Sequence, residues 1–427
     1  MSEQINEILE NKKVLVLGYG REGISTCNYI KKHMPGFHFT VSDKNKITVD
    51  DPCITVITGE HYLDIINDYD IVIKSPGISV RDITIGRNTV VTCQLDLFLR
   101  CAQCKTIGIT GTKGKTTTST LTYQMLACSG IDALLIGNIG VPVLDVLDSC
   151  SGKVAVIEMG CHQLEFSTRS PQIAVITNIY PEHLDHYNGF AGYVKAKSNI
   201  VIHQRPCDSF ICSSDQDVFS FIDKDLICSH IIKTGLKDAV PNANMHLKGE
   251  GNAIDICYAK AASSLMGATA NGIQKAVDTF SGIPHRMEYV GKFRDIEFYN
   301  DCIATVPASV ILALRALENV DTLIIGGMDR GIDYSELIDF LKDSTVRNLI
   351  CMPQTGYMIA DALSGTDIKT YKCDDMKSVV GTAYKVTQKN KICIISPAAA
   401  SYNRYKNFEE KGDLFKKLVK EMGNGNG

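Results

Sequence analysis

An α/β chain of three domains, each built on a largely parallel sheet, is predicted by three observations. Apolar, β-branched runs alternate with helix-compatible stretches through most of the 427 residues, as strands joined by crossover helices do. Two of these runs lead into glycine-spaced loops, Gly18-x-Gly20-x-x-Gly23 and Gly111-x-x-Gly114-Lys115-Thr116, as a chain needs where a strand passes into a helix around an anion. Gly and Pro in Ser281-Gly282-Ile283-Pro284 then break the chain before a third alternating run. At roughly 150 residues per domain the length also suggests about three. Boundaries are expected at 1–98, a Rossmann-like domain; 99–282, a central P-loop mononucleotide-binding domain of ATPase type on a parallel sheet; and 283–427, a second Rossmann-like domain.

The first strand is Val14–Leu17 in KKVLVLGYGREG, and its glycines allow a tight turn and a helix start. A second run, FHFTVSD, ends at Asp43, twenty residues after Gly23. An acid there can accept hydrogen bonds from a ribose or a base. This dinucleotide-type fingerprint fits a nicotinamide enzyme as well as a domain that holds another nucleotide. The strand beginning near Tyr69 passes into the turn Ser75-Pro76-Gly77-Ile78, which would face the same crevice.

In the central part, Thr106-Ile107-Gly108-Ile109 leads into Gly111-Thr112-Lys113-Gly114-Lys115 and a helix predicted from Thr116 through Ala127. Backbone N–H groups and the helix N-terminus converge there on an anion. Lys115 can reach the outer phosphates and the Thr116 hydroxyl can hold Mg²⁺, which predicts a nucleotide triphosphate site. Ile109 stands where the strict spacing has glycine, while the Gly-Lys-Thr core is intact. Gly137-Asn138-Ile139-Gly140 forms a loop after a short apolar run. The strand Val154–Ile157 ends in Glu158, a carboxylate placed beside the phosphate loop to serve as a Mg²⁺ ligand, directly or through water. The run Ile173–Thr177 ends in Asn178, and His183 and Asp185 follow in a polar loop.

Past the break come a hairpin-like Val290–Tyr299, Asn300-Asp301, a helix Pro307–Leu317, a strand Thr322–Ile325 and the turn Gly326–Gly331. A last strand, Ile392–Ile395, runs into Ser396-Pro397-Ala398-Ala399-Ala400-Ser401 and Asn407-Phe408-Glu409. The alternation again implies a parallel, Rossmann-like sheet.

Composition excludes several classes. A net charge of −4 gives no general attraction to nucleic acid or to an anionic membrane. No apolar run reaches the roughly 18 residues of a transmembrane helix, and the opening residues lack a signal-peptide core, so a cytoplasmic protein without membrane insertion is expected. The 16 cysteines are scattered singly in apolar segments, as Cys257 and Cys393 are, and read as reduced thiols. Cys101 and Cys104 have no second pair to complete a zinc site.

Taken together, TGTKGKTT at 110–117, GNIG at 137–140, Glu158 with QLE at 163–165, TNIYPEHLDHY at 177–187, GIPHRME at 282–288, YNDCIATVP at 299–307, GGMDRG at 326–331 and SPAAAS with NFEEKG at 396–412 resemble the Mur ligases of peptidoglycan synthesis, most closely their glutamate-adding type. The resemblance covers nearly the whole chain in the right order. It implies an ATP-dependent acid–amino-acid ligase. A substrate carboxylate takes the γ-phosphoryl group, the amine of an incoming amino acid attacks the acyl phosphate, and phosphate leaves. Such chemistry needs charge neutralisation and positioning more than a protein nucleophile.

By this resemblance Lys115, His183, Lys197 and Arg286 carry the catalysis. ATP is held by Gly111, Thr112, Lys113, Gly114, Lys115, Thr116, Thr117 and Asn252, with Arg286 at the γ-phosphate and Asp301 at the ribose. Thr116, Glu158, His183 and Lys197 bind or orient Mg²⁺, two ions being expected. Lys197 takes the position of a carbamylated lysine, where an anion replaces a cation and can hold the second ion. UDP-N-acetylmuramoyl-L-alanine is held by Gly18, Gly20, Arg21, Asp43, Ser75, Pro76 and Gly77, with Asn138 and His183 at its muramoyl end. Glutamate falls to Thr305, Arg330, Ser401 and Phe408, Arg330 being able to grip a carboxylate with two prongs. These three small molecules are the implied partners of a chain expected to be a monomer.

Several positions depart from the family pattern. SSFQLE reads Gly160-Cys161-His162-Gln163-Leu164-Glu165, HNxxN reads Gly251-Asn252-Ala253-Ile254-Asp255, and Cys302 and Ile303 replace Ser and Lys of NDSKAT. D-glutamate is preferred on family frequency. L-glutamate is the alternative, because GYGREG with GTKGK also resembles a subgroup that adds that enantiomer. A folylpolyglutamate-type ligase would leave the first glycine fingerprint without a purpose. An oxidoreductase or a non-catalytic nucleotide module would leave Lys115, Glu158, His183 and Arg286 unexplained as a set.

Overall fold

The structure is a computed structural model that describes residues 4–425 apart from 185, 215, 245, 246, 248, 318, 330, 402 and 403. Arg330, assigned above to glutamate, therefore lies outside the described residues, as does Asp185. The chain divides into two compact units, Met1–Phe280 and Ser281–Gly427. That division lies two residues before the expected 282/283 boundary. The expected 98/99 boundary falls within the helix Gln94–Cys101.

In the first unit, β1 (Val14–Leu17), β2 (Phe39–Asp43), β3 (Ile54–Thr58), β4 (Ile71–Lys74) and β5 (Val90–Thr92) form a sheet in the order β3-β2-β1-β4-β5. All of its pairings are parallel. The strand order reverses between β1 and β4, which opens a crevice outside their carboxyl ends, and the loops at Gly18–Gly20 and Ser75–Gly77 both begin there. A Cβ on Gly23 would sit 1.9 Å from the Gly18 carbonyl oxygen. Glycine is thus required where the helix Arg21–His33 closes on the end of β1.

A second, six-stranded sheet is built from β6 (Lys105–Thr110), β7 (Ala133–Gly137), β8 (Val154–Glu158), β9 (Ile173–Ile176), β10 (Ser209–Ser213) and β11 (His230–Thr234). Its order is β11-β10-β9-β6-β8-β7, again all parallel. The central strands β8 and β9 are buried along their length, as parallel strands covered on both faces must be. The helix Lys115–Cys128 packs against the helices Glu250–Leu265 and Ala270–Thr279. Covered on more than one side, it buries Thr118, Ser119, Thr120 and Thr122 as well as Leu121 and Met125. One apolar cluster runs from Val16 and Val41 through Leu95, Leu97 and Phe98 to Ile157, Ile176 and Phe210. The helix Gln94–Cys101 thus shares a core with both sheets.

The second unit holds β12 (Glu288–Phe293), β13 (Ile296–Asn300), β14 (Val320–Ile325), β15 (Asn348–Cys351), β16 (Lys369–Lys372) and β17 (Ile392–Ile395) in the order β12-β13-β17-β14-β15-β16. Four of its pairings are parallel, but β12 runs antiparallel to β13, so the parallel sheet expected here is mixed. The hairpin turns through Arg294 and Asp295, both at positive φ (50° and 65°), the sense that suits a two-residue hairpin turn. Separate apolar clusters form around Leu323, Ile325 and Ile394 and around Ile324, Ile350 and Ile395, one on each face.

Candidate active site

β6 lies at the centre of its sheet, so the loop after it is flanked by the ends of β8 and β9. Gly111 has φ +156°, and a Cβ there would lie 1.9 Å from Thr177 Oγ1. Gly114, the left-handed residue before the helix Lys115–Cys128, has φ +84°, and its Cβ would lie 2.3 Å from Asp255 Oδ1. The loop is pinned from β9's end. The Thr112 N–H donates to the Asn178 carbonyl (3.0 Å), the Lys113 N–H to Asn178 Oδ1 (2.9 Å), and Thr177 Oγ1 donates to the Lys113 carbonyl (2.6 Å). Lys115 Nζ folds back to donate to the carbonyls of Gly111 (2.9 Å) and Thr112 (3.0 Å). Thr116 and the half-buried Thr117 open the helix, with Thr116 9% exposed. Asn252 lies in the first turn of the neighbouring helix, and Asp255 one turn later sits against Gly114, burial pushing its carboxyl up to about 7.

Lys197 is only 1% exposed. The helix Phe190–Ser198 aims its Nζ at the Gly111 carbonyl (2.7 Å) and Thr110 Oγ1 (3.3 Å), 4.8 Å from the centre of the Tyr193 ring. Burial, reinforced by the nearby Lys115 charge, brings this amine down to about 7. Glu158 is equally buried. Its Oε1 accepts from Asn138 Nδ2 at 2.7 Å, while Oε2 has no hydrogen-bond partner. A buried carboxylate oxygen left without a partner suits a hard cation. His183 is exposed, has φ +54°, and stands 4.9 Å ring to ring from His162 and 6.4 Å from Tyr193. Among the described residues no three His, Cys, Asp or Glu side chains group into a cation cage. Glu158 and Thr116 offer oxygen donors to an ion that keeps much of its water, as Mg²⁺ does. Lys197 in its amine form donates to a carbonyl and fits a cation only as a carbamate.

At the loop that carries Asn138, the first sheet meets this site through a guanidinium. Arg21 donates to the carbonyls of Gly137 (3.0 Å), Asn138 (3.2 Å) and Gly140 (3.3 Å), fastening the Rossmann-like loop to the loop that carries Asn138. The Asp43 carboxylate accepts from the backbone N–H groups of Tyr19 and Asn45, both at 2.8 Å, and so organises the crevice itself. Ser75 Oγ donates to the Gly18 carbonyl at 3.2 Å, joining the Ser75-Pro76-Gly77 turn to the loop of Gly18 and Gly20. Two residues of this region were not anticipated: Lys74, whose side chain is wholly buried, and His162, whose Nε2 is buried without a partner.

In the second unit, Arg286 is exposed between His285 and Met287, both at positive φ (62° and 43°). Asp301 is buried, accepts from Ser396 Oγ (2.7 Å) and the Met287 N–H (3.1 Å), and is pushed up to about 6 by burial. The Ser401 hydroxyl is buried without a hydrogen-bond partner, Thr305 and Phe408 are half-buried, and Phe408 meets the His285 ring edge-on at 5.8 Å. The sequence reading passed over Lys411. It is 1% exposed, and its Nζ donates to the Gly326 carbonyl at 2.8 Å, tying the helix Phe408–Gly423 to the loop after β14. Cys302, at a departing position, is fully buried with its thiol pushed up to about 12, a core residue.

Known proteins resemble this chain in sequence and in fold. Residues 109–270 match the Mur ligase middle domain, and residues 285–399 match the Mur ligase glutamate ligase domain. The UDP-N-acetylmuramoylalanine–D-glutamate ligase of Acetivibrio thermocellus is 32% identical over 99% of this chain and 100% of its own length. That of Lactobacillus gasseri is 30% identical over 97% and 98%. Among solved structures, the MurF ligase of Thermotoga maritima in complex with ADP superposes with a TM-score of 0.54 at 16% identity, covering 97% of this chain and 96% of that one. The UDP-N-acetylmuramate–alanine ligase MurC of the same organism gives 0.55 at 18%, covering 96% and 100%. The two structures share the fold, the sequence relatives match nearly the whole chain at 30% identity or more, and the chain belongs to the Mur ligase family of ATP-dependent ligases.

Proposed function

We propose that this protein joins D-glutamate to UDP-N-acetylmuramoyl-L-alanine with ATP, a step in the making of peptidoglycan precursors. The observation that carries the reading is the convergence of the phosphate loop, the partnerless oxygen of Glu158 and the Arg21-clamped loop of Asn138 within one compact unit. A triphosphate and a carboxylate to be activated can be brought together there. We assign residues 1–98 to the UDP substrate, 99–282 to ATP and 283–427 to glutamate.

In this reading Lys115 leaves the carbonyls of its own loop for the outer phosphates of ATP, and the N–H groups of residues 111–117 take the remaining oxygens. Asn138 and His183 meet the muramoyl end of the UDP substrate, whose carboxylate takes the γ-phosphoryl group. Thr116, Glu158 and His183 would hold Mg²⁺, which would supply charge neutralisation at the phosphates, and Lys197 as a carbamate would hold a second ion. In the second unit we assign Arg286 and Asp301 to the nucleotide and Thr305, Arg330, Ser401 and Phe408 to glutamate. The amine of Lys197, at about 7, is largely neutral in mildly alkaline buffer, the form that adds CO₂. No described helix is long and apolar enough to cross a membrane, and we place the protein in the cytoplasm.

The test is phosphate release from ATP and Mg²⁺ with UDP-N-acetylmuramoyl-L-alanine and each glutamate enantiomer in turn. Release with D-glutamate alone is expected. Release with only the L-form would move the assignment to that enantiomer, and release with neither would overturn it.

A further inference from the structure

We propose that Lys74, Glu165 and His186 form a positioning chain that ties the turn after β4 to the His183 loop, so that filling the first-sheet crevice sets the place of His183. The inference rests on the assignment of that crevice to a uridine nucleotide. Lys74 is the last residue of β4, and its side chain is 0% exposed. An ammonium wholly out of water is costly unless several acceptors hold it. Here Nζ donates to the Ile78 carbonyl at 2.7 Å, with the Ser75 and Pro76 carbonyls at 3.4 and 3.5 Å, and so spans the whole Ser75–Ile78 turn. Its charge partner is Glu165 at 3.4 Å, and the Phe166 ring lies 5.5 Å beneath.

Glu165 in turn meets His186 Nε2 at 3.3 Å. The His186 ring packs 4.3 Å from His162, which stands 4.9 Å from His183, and the His186 N–H donates to the His183 carbonyl at 3.1 Å. Tyr187 closes the group, stacked on His162 at 5.5 Å, while its own N–H reaches the His183 carbonyl at 3.4 Å. His183 is thus held in its left-handed conformation by neighbours that answer to Glu165 and, through it, to the turn. Replacing both members of the ion pair by packed apolar side chains would serve stability at least as well, whereas removing Lys74 alone leaves Glu165 without its partner. What the ion pair adds is a fixed relation between two loops that handle opposite ends of one substrate.

The experiment uses the full chain with Lys74→Met, Glu165→Gln and the double variant. In kinetics with UDP-N-acetylmuramoyl-L-alanine, each single variant should lower kcat by roughly tenfold and raise the KM for the UDP substrate, with the KM for ATP held within about twofold. The double variant should lose no more than the worse single one, because both cut the same chain. A loss shared equally by every KM, or losses that multiply in the double variant, would overturn the proposal. A second readout is independent of ligation. With ¹⁵N-labelled histidine, UDP should move the His183 ring signals of the wild type and leave them in place in Lys74→Met. UDP that binds the wild type without moving those signals would refute the chain while leaving the ligase assignment intact. Wild-type protein that binds UDP but releases no phosphate with either glutamate would do the reverse.

Discussion

Replacing Lys197 by methionine removes a buried amine while keeping most of its volume, and its effect on stability should depend on pH in a calculable way. The folded-state value is about 7, against roughly 10.4 for an unfolded chain. Below pH 7 both states hold the proton, and the folded protein bears the full cost of a buried charge. Between about 7 and 10 the unfolded chain holds a proton that the folded one does not, so wild-type stability rises by about 1.4 kcal/mol per pH unit relative to the variant. Above the unfolded value the dependence disappears. Integrating from about pH 6.5 to 8.5 gives a change of ~2 kcal/mol in the difference between the two proteins, the variant's relative advantage being larger at the lower pH. Urea unfolding of both proteins, followed by circular dichroism in bicarbonate-free buffer at the two pH values, measures this directly. A difference that stays constant would mean that Lys197 keeps its proton throughout, which would also remove the physical basis for its carbamylation. Adding bicarbonate at the higher pH should stabilise the wild type alone, and Lys197→Met should be inactive at both.

Lys115→Ala should abolish turnover while calorimetry still finds near-normal binding of the UDP substrate, because that crevice lies on the other sheet of the unit; loss of both together would contradict the assignment of the two sheets. Gly114→Ala forces a side chain into a φ of +84° with its Cβ 2.3 Å from Asp255 Oδ1, so affinity for an ATP analogue should fall more than about tenfold, beyond the 1–2 kcal/mol of left-handed strain alone. Lys411→Met should raise the KM for glutamate severalfold and leave the KM for ATP unchanged, since the lost bond fastens the Phe408 helix to the loop after β14. Equal changes in both constants would make Lys411 a purely structural residue.

Most strands were legible because parallel strands buried on both faces must be apolar throughout, and Val154–Ile157 and Ile392–Ile395 carry that signature. The start of β14 was missed. Asp321 lies inside the strand, and its buried carboxylate is satisfied by Asn348 Nδ2 (3.0 Å) and the Gln388 N–H (3.1 Å), residues far away in sequence. The phosphate loop was legible for the opposite reason, since its glycines are dictated locally by the turn and by close contacts. Three lysines show where such reading stops. Lys74 ends a strand, and Lys197 and Lys411 sit on helices, positions at which a solvated charge is the ordinary expectation. Each is nevertheless buried against backbone carbonyls that only the folded chain brings near, those of Ile78, Gly111 and Gly326. Spacing along a sequence reports which face a residue takes, while the acceptor that makes its burial tolerable belongs to another segment.

The Gly111 carbonyl shows why these effects cannot be separated residue by residue. It accepts from Lys115 at 2.9 Å and from Lys197 at 2.7 Å, so two amines converge on one oxygen. A Cβ on Gly111 would displace Thr177 Oγ1, the group that also holds the Lys113 carbonyl. The repulsion between the amines is one of the two forces that lower Lys197, the larger being burial. In the proposed reading Lys115 acts on the phosphates by its charge, and the same charge helps to keep the Lys197 amine neutral, the form that would react with CO₂. A triphosphate that draws Lys115 away from the Gly111 carbonyl weakens this repulsion and adds negative charge nearby, and both changes favour a protonated Lys197. In the proposed reading, the carbamate of Lys197 would thus be made most easily before the nucleotide arrives. A Lys115→Ala protein should take up bicarbonate-derived carbon at Lys197 less readily than the wild type even with no nucleotide present.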